Sequence, residues 1–71
     1  MKQITGKLEG WRIQRYPQGV IYWGFIYGDT KGRFRDGTYI HTSLVEKREE
    51  QTIYTLNSVY ELGKPSGEWP E

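Results

Sequence analysis

Apolar and polar residues alternate along most of the chain, and no window keeps the three- and four-residue apolar spacing of a helix over helical length. β-branched and aromatic residues gather instead in short runs separated by Gly, Pro, Asn or Asp, which predicts an all-β fold with almost no helix. The sole helical candidate, residues 44–51 (LVEKREEQ), reads more simply as the end of one strand, a charged turn and the start of the next.

A first strand is expected over residues 3–16, with an inward-facing set that changes phase: Ile4 and Leu8 are even, Trp11 and Ile13 odd. One extra residue near Glu9 and Gly10 reconciles them, and glycine tolerates the backbone of such a bulge. Pro17-Gln18-Gly19 supplies the next turn. Residues 20–28 (VIYWGFIYG) are apolar on both faces, with Val20, Tyr22 and Ile26 on one and Ile21, Trp23, Phe25 and Tyr27 on the other. That pattern predicts a central strand covered on each side, in which Gly24 leaves a gap for Trp11 of the preceding strand.

A third strand is expected at residues 38–45, where Ile40, Thr42 and Leu44 alternate against Tyr39, His41, Ser43 and Val45. A fourth follows at 52–56, a break at Asn57-Ser58, and a fifth at 58–62. Four to five strands of this length make a small antiparallel meander or partly closed barrel, SH3-like or OB-like in size. Residues 1–64 form the single domain and 65–71 a tail. Unclosed edges and surplus aromatics predict a homodimer paired by edge or by face.

Size sharpens this picture. A chain of 71 residues buries only about 60% of its unfolded surface, so its stability rests on its large side chains. Three Trp, six Tyr and two Phe are the core's main resource. With no cysteine and one histidine there is neither a disulfide nor a zinc site to assemble, so no metal or cofactor is expected. Net charge is only +1, but the first 36 residues carry seven Lys/Arg against three Asp/Glu and the remainder three against six. Such a dipole steers a charged partner if folding preserves it as a patch. No stretch has the length of a signal-peptide core or of the roughly 20 apolar residues of a membrane span, so the expected location is the cytoplasm, with no membrane partner.

Catalytic chemistry finds little footing. Asp29, Asp36, Glu46, Glu49 and Glu50 sit in turn-like, solvated sequence where nothing raises a carboxyl pKa. His41 and Ser43 share a face at two-residue spacing, but no acid is placed to orient the imidazole and no glycine-flanked nucleophile elbow is present. The loop at residues 28–37 lacks the Gly-Lys-Ser/Thr ending of a phosphate-binding loop. The protein is therefore expected not to be an enzyme.

Binding is better supported, and the same loop carries two readings. Lys31, Arg33 and Arg35 alternate along it beside Phe34 and Tyr39, the mixture a single-stranded nucleic-acid binder uses, and Arg12, Arg15, Tyr16 and Tyr22 would extend the patch across the first hairpin. Alternatively Phe34 plugs a long turn into the barrel, with Asp29 and Asp36 bracketing the cations. A second polar cluster comprises His41, Thr42, Ser43, Thr55, Asn57, Ser58 and Tyr60. It reads as a cross-strand hydroxyl ladder, Thr42 opposite Thr55, or as a groove for a nucleotide or peptide strand.

The pattern G-R-F-x-D-G-x-x-I-x-T-S-L-V, followed by T-x-N-S-V-Y-x-L-G, spans residues 32–63. It resembles short accessory proteins encoded by phages and prophages of enteric bacteria. The resemblance implies an intracellular, non-enzymatic protein that inhibits or redirects a host or defence component. Asp36, Gly37, Thr42, Ser43, Asn57, Ser58 and Tyr60 would then define the fold first and function second. The leading expectation is a small dimeric binding protein that occupies a surface on a host or defence protein through its Lys31 to Arg35 loop, Tyr16, Tyr22 and Trp69. The alternatives are a single-stranded nucleic-acid module of OB or cold-shock style and a protein that sequesters a small nucleotide or metabolite.

Overall fold

The computed structural model describes residues 4–66. They form six strands and no helix: β1 (Gly6–Tyr16), β2 (Gly19–Tyr27), β3 (Thr38–His41), β4 (Val45–Glu49), β5 (Thr52–Thr55) and β6 (Val59–Leu62). All six belong to one sheet in the order β3-β2-β1-β6-β5-β4. Two antiparallel three-stranded meanders are thus joined side by side through a parallel pairing of β1 with β6, Gly6 to Leu8 against Tyr60 to Leu62.

The all-β expectation holds, and two details of it change. There are six strands because the expected third strand is cut at Thr42. Its hydroxyl accepts the Tyr22 amide at 3.1 Å and donates to the Ser43 carbonyl at 2.7 Å, after which the chain leaves for the opposite edge of the sheet. The sheet is also mixed and not closed into a barrel, since β3 and β4 are its two free edges.

The expected bulge is present. Pairing with β2 runs from Lys7 with Tyr27 to Glu9 with Phe25 and resumes at Arg12 with Trp23, and Gly10 takes a positive φ of 59°. The kink turns the amides of Gly10 and Trp11 towards the Lys64 carbonyl. Trp11 then fixes the chain beyond β6: its indole N–H donates to the Gly63 carbonyl at 3.0 Å, and its own carbonyl accepts the Ser66 amide at 2.8 Å. The first residues of the predicted tail therefore run along β1, with Pro65 bridging Trp11.

The core lies on the concave face and comprises Leu8, Trp11, Tyr22, Ile26, Ile40, Ile53, Tyr60 and Leu62, with Ile13, Val20, Phe34 and Val45 packed at its margin. Curling brings β4 back over β1 and β2. The Arg48 guanidinium sits 5.3 Å above the Trp11 ring and donates to the Tyr22 hydroxyl at 3.3 Å. Gly24 closes against Trp11 as expected, because any side chain there would press into the Trp11 backbone.

β2 is central in its pairing, between β1 and β3, but the expectation that both its faces are covered is wrong. Tyr22 and Ile26 are buried, whereas Phe25 and Tyr27 on the other face are each 42% exposed. Ile21 on that other face is buried and Trp23 half-buried, but the curled single sheet leaves the Phe25 and Tyr27 end open, and among the described residues no second layer covers it.

Candidate functional site

That uncovered face carries the most distinctive chemistry of the molecule. The register sets Trp23 beside His41 and Phe25 beside Tyr39 across β2 and β3. Cross-strand proximity turns these side chains into a continuous ring cluster. Trp23 and Tyr39 are stacked with centroids 5.7 Å apart and planes at 25°; Trp23 and His41 lie 4.8 Å apart, and so do Phe25 and Tyr39. Tyr39, on the edge strand, is 43% exposed.

β1 supplies the polar flank. Gln14 accepts the Trp23 indole N–H at 2.8 Å, which pins the ring and fixes the amide orientation, because an indole donates only to the oxygen. Arg12, Ile13, Gln14, Arg15, Trp23 and Tyr39 line an open groove of about 590 Å³. A shallower depression formed by Gly10, Arg12, Phe25, Tyr39 and Ser66 continues it. Among the described residues no carboxylate lines either one.

The 28–37 loop is built differently, with its polar groups turned on each other. Asp29 accepts the amides of Arg33 at 2.7 Å and Phe34 at 3.1 Å, and its side chain is fully enclosed. Burial pushes the Asp29 carboxyl up, yet the Arg33 amide and guanidinium and the amides of Lys31 and Phe34 together hold it below the usual aspartate value. Arg33 donates to the Tyr60 hydroxyl at 3.2 Å and to Asp29 at 3.4 Å. The Tyr60 bond foremost, with Asp29 adding to it, raises the Arg33 pKa against the effect of burial. Lys31 reaches the Asn57 carbonyl and the Ser58 hydroxyl. Phe34 packs against the core, and Asp36 caps the Gly28 amide at 2.8 Å. Two of the three loop cations are thereby committed to holding the loop in place, Arg33 on β6 and Lys31 on the turn before it, while Arg35 is exposed.

The candidate residues thus separate. Arg12, Arg15 and His41 belong to the open face or its groove; Lys31, Arg33, Phe34 and Arg35 form the loop; none of the loop cations lines the groove. Tyr16 ends β1 and is 43% exposed. Tyr22, expected as an exposed contact, is only 3% exposed, because it shares the inward parity of Ile26 and packs on Trp11 at 5.6 Å. Trp69 lies outside the described residues. Ser43 is exposed beyond the end of β3, and the expected pairing of Thr42 with Thr55 does not form: Val45 stands opposite Thr55, whose hydroxyl donates to the Ser58 carbonyl.

Comparison with protein-family models, curated proteins and solved structures finds no match to this chain. The site must therefore be read from its own chemistry. Among the described residues no three His, Asp or Glu side chains are placed to hold a metal ion, and no helix is long and apolar enough to cross a membrane. Glu9 accepts the Lys64 amide at 3.0 Å and pairs with Lys7 at 3.3 Å. The Lys64 amide outweighs burial and, with Lys7, lowers the Glu9 pKa.

Sequence reasoning missed Phe25 as an exposed residue and Trp23 as a half-buried one at the edge of the open face. The signal was available in the length of the chain: a strand apolar on both faces, in a protein too short to build two layers, must leave one face open.

Proposed function

We propose that this protein is a non-enzymatic binding module that acts by occupying a surface on another macromolecule, and that the open face of β1, β2 and β3 is the contact. One observation carries the reading: Trp23, Phe25 and Tyr39 form a pinned aromatic cluster with no covering element among the described residues. Contiguous apolar surface with a polar rim marks an interaction site, and Trp, Tyr and Arg give most binding energy per side chain. The resemblance to phage accessory proteins supplies a context in which the macromolecule is a host or defence component of the bacterial cell.

The test is retention of a bacterial partner by the immobilised protein and by two variants, Trp23→Ala/Tyr39→Ala on the face and Arg33→Ala/Phe34→Ala in the loop. Loss of capture in the folded face variant supports the reading. Undiminished capture by that variant, with loss in the loop variant, moves the contact to residues 28–37 and refutes it.

A further inference from the structure

We propose that the occupant of the open face is a single-stranded nucleic acid, held by base stacking on Trp23, Tyr39 and Phe25 and by phosphate contacts to Arg12 and Arg15. This rests on the reading that the open face is the binding surface, and it names the partner.

Complementarity of charge and shape carries the argument. Among the described residues the groove and its continuation present two arginines, two pinned or stacked rings, a third ring and an amide, with no carboxylate. An acidic peptide would also complement the positive charge of the groove. Flat rings fixed at 4.8 to 5.7 Å spacing on adjacent strands suit a different ligand, one made of successive planar groups joined by anions. Trp23 pays little ordering entropy on binding, because Gln14 already holds its indole.

The Gln14 oxygen keeps a second lone pair beside its bond to the indole, and the Tyr39 and Ser66 hydroxyls line the same surface, so a ribose or a deoxyribose backbone finds acceptors there. Gln14 still offers its NH2 as a donor to a base edge. The width of the ring cluster, two strands, matches two to three nucleotides.

The experiment is fluorescence anisotropy of end-labelled oligothymidylate, and of oligouridylate of equal length, with the whole chain at several salt concentrations. Two phosphate contacts predict a log–log slope near −1.4, at about −0.7 per contact on a single strand. Trp23→Ala and Tyr39→Ala should each weaken binding by roughly five- to a hundredfold, the range for loss of one stacked base. Arg12→Gln with Arg15→Gln should flatten the salt slope while circular dichroism stays unchanged. Absence of binding at low salt overturns the proposal, as does binding that Trp23→Ala leaves intact. Binding of either oligonucleotide that these variants weaken supports the proposal, and the relative affinities of the two distinguish DNA from RNA. If no oligonucleotide binds, but Trp23→Ala abolishes capture of a protein or dissociates a dimer in sedimentation, this inference fails while the open face stands as a binding surface.

Discussion

Gly24 of β2 lies directly against Trp11 of β1: a methyl group placed on its α-carbon would stand 3.3 Å from both Cα and Cβ of Trp11 and 3.2 Å from the Glu9 carbonyl oxygen. These neighbours are mostly backbone at the bulge, where Trp11 also bonds to Lys64, Gly63 and Ser66. They have little room to yield. Gly24→Ala is therefore expected to destabilise the protein by about 1–3 kcal/mol, the usual cost of overpacking. Gly24→Val should cost more, and urea denaturation of both variants checks the order.

Asp29 predicts an acid-sensitive loop. Its carboxyl is lower in pKa in the folded protein than in the unfolded chain, so its contribution is present above the unfolded value of about 3.9 and is lost as pH falls through the folded value. Glu9 shifts in the same direction and adds to the loss. Asp29→Asn should flatten the pH dependence of melting temperature below about pH 4. At neutral pH it should cost about 1–3 kcal/mol, because hydrogen bonds to a charged acceptor are weakened. A thermal melt series from pH 2 to 7 in both proteins reads the two effects together.

The bulge at Gly10 and the closure of Gly24 on Trp11 were legible in the sequence because each is a local matter, a parity change or a missing side chain beside a large one. The plugging of the loop by Phe34, with Asp29 and Asp36 in bracketing roles, was legible for the same reason. Periodicity says which side chains share a face and nothing about what covers that face. Trp23 and Phe25 were therefore assigned to the interior, and Tyr22, of inward parity, was counted among the contacts. The parallel pairing of β1 with β6 joins residues more than fifty positions apart, as in the bond from Trp11 to Gly63, and no short-range signal announces it.

Glu50, in the turn between β4 and β5, is the single non-glycine residue with positive φ among the described residues, at 54°. A left-handed conformation costs an L-residue about 1–2 kcal/mol, and glycine's extra unfolded-state freedom takes back part of the relief. Glu50→Gly should thus raise stability by about 0.5–1 kcal/mol. Gln51→Gly, lacking that strain, should lower it. Paired thermal melts decide between the two signs.

Thr42 is 2% exposed and its hydroxyl serves both the Tyr22 amide and the Ser43 carbonyl. Thr42→Val keeps the shape and leaves a buried amide short of its side-chain acceptor, at a cost of about 1–3 kcal/mol. Amide hydrogen exchange at Tyr22 should accelerate in the variant, a readout that loss of packing elsewhere would not localise.

The strand order has a consequence for how the molecule comes apart. Each meander is contiguous in the chain, residues 6–41 and 45–62, and they are joined covalently only by the crossing at 42–44. A polypeptide nicked after Leu44 would yield two fragments, one contributing Trp11 and the other the Gly63 and Lys64 carbonyls that receive its N–H groups. Neither fragment has a complete concave core, so each alone should remain unstructured and the pair should reassemble when mixed. That would make this small sheet a split reporter whose reconstitution is read from the indole of Trp11.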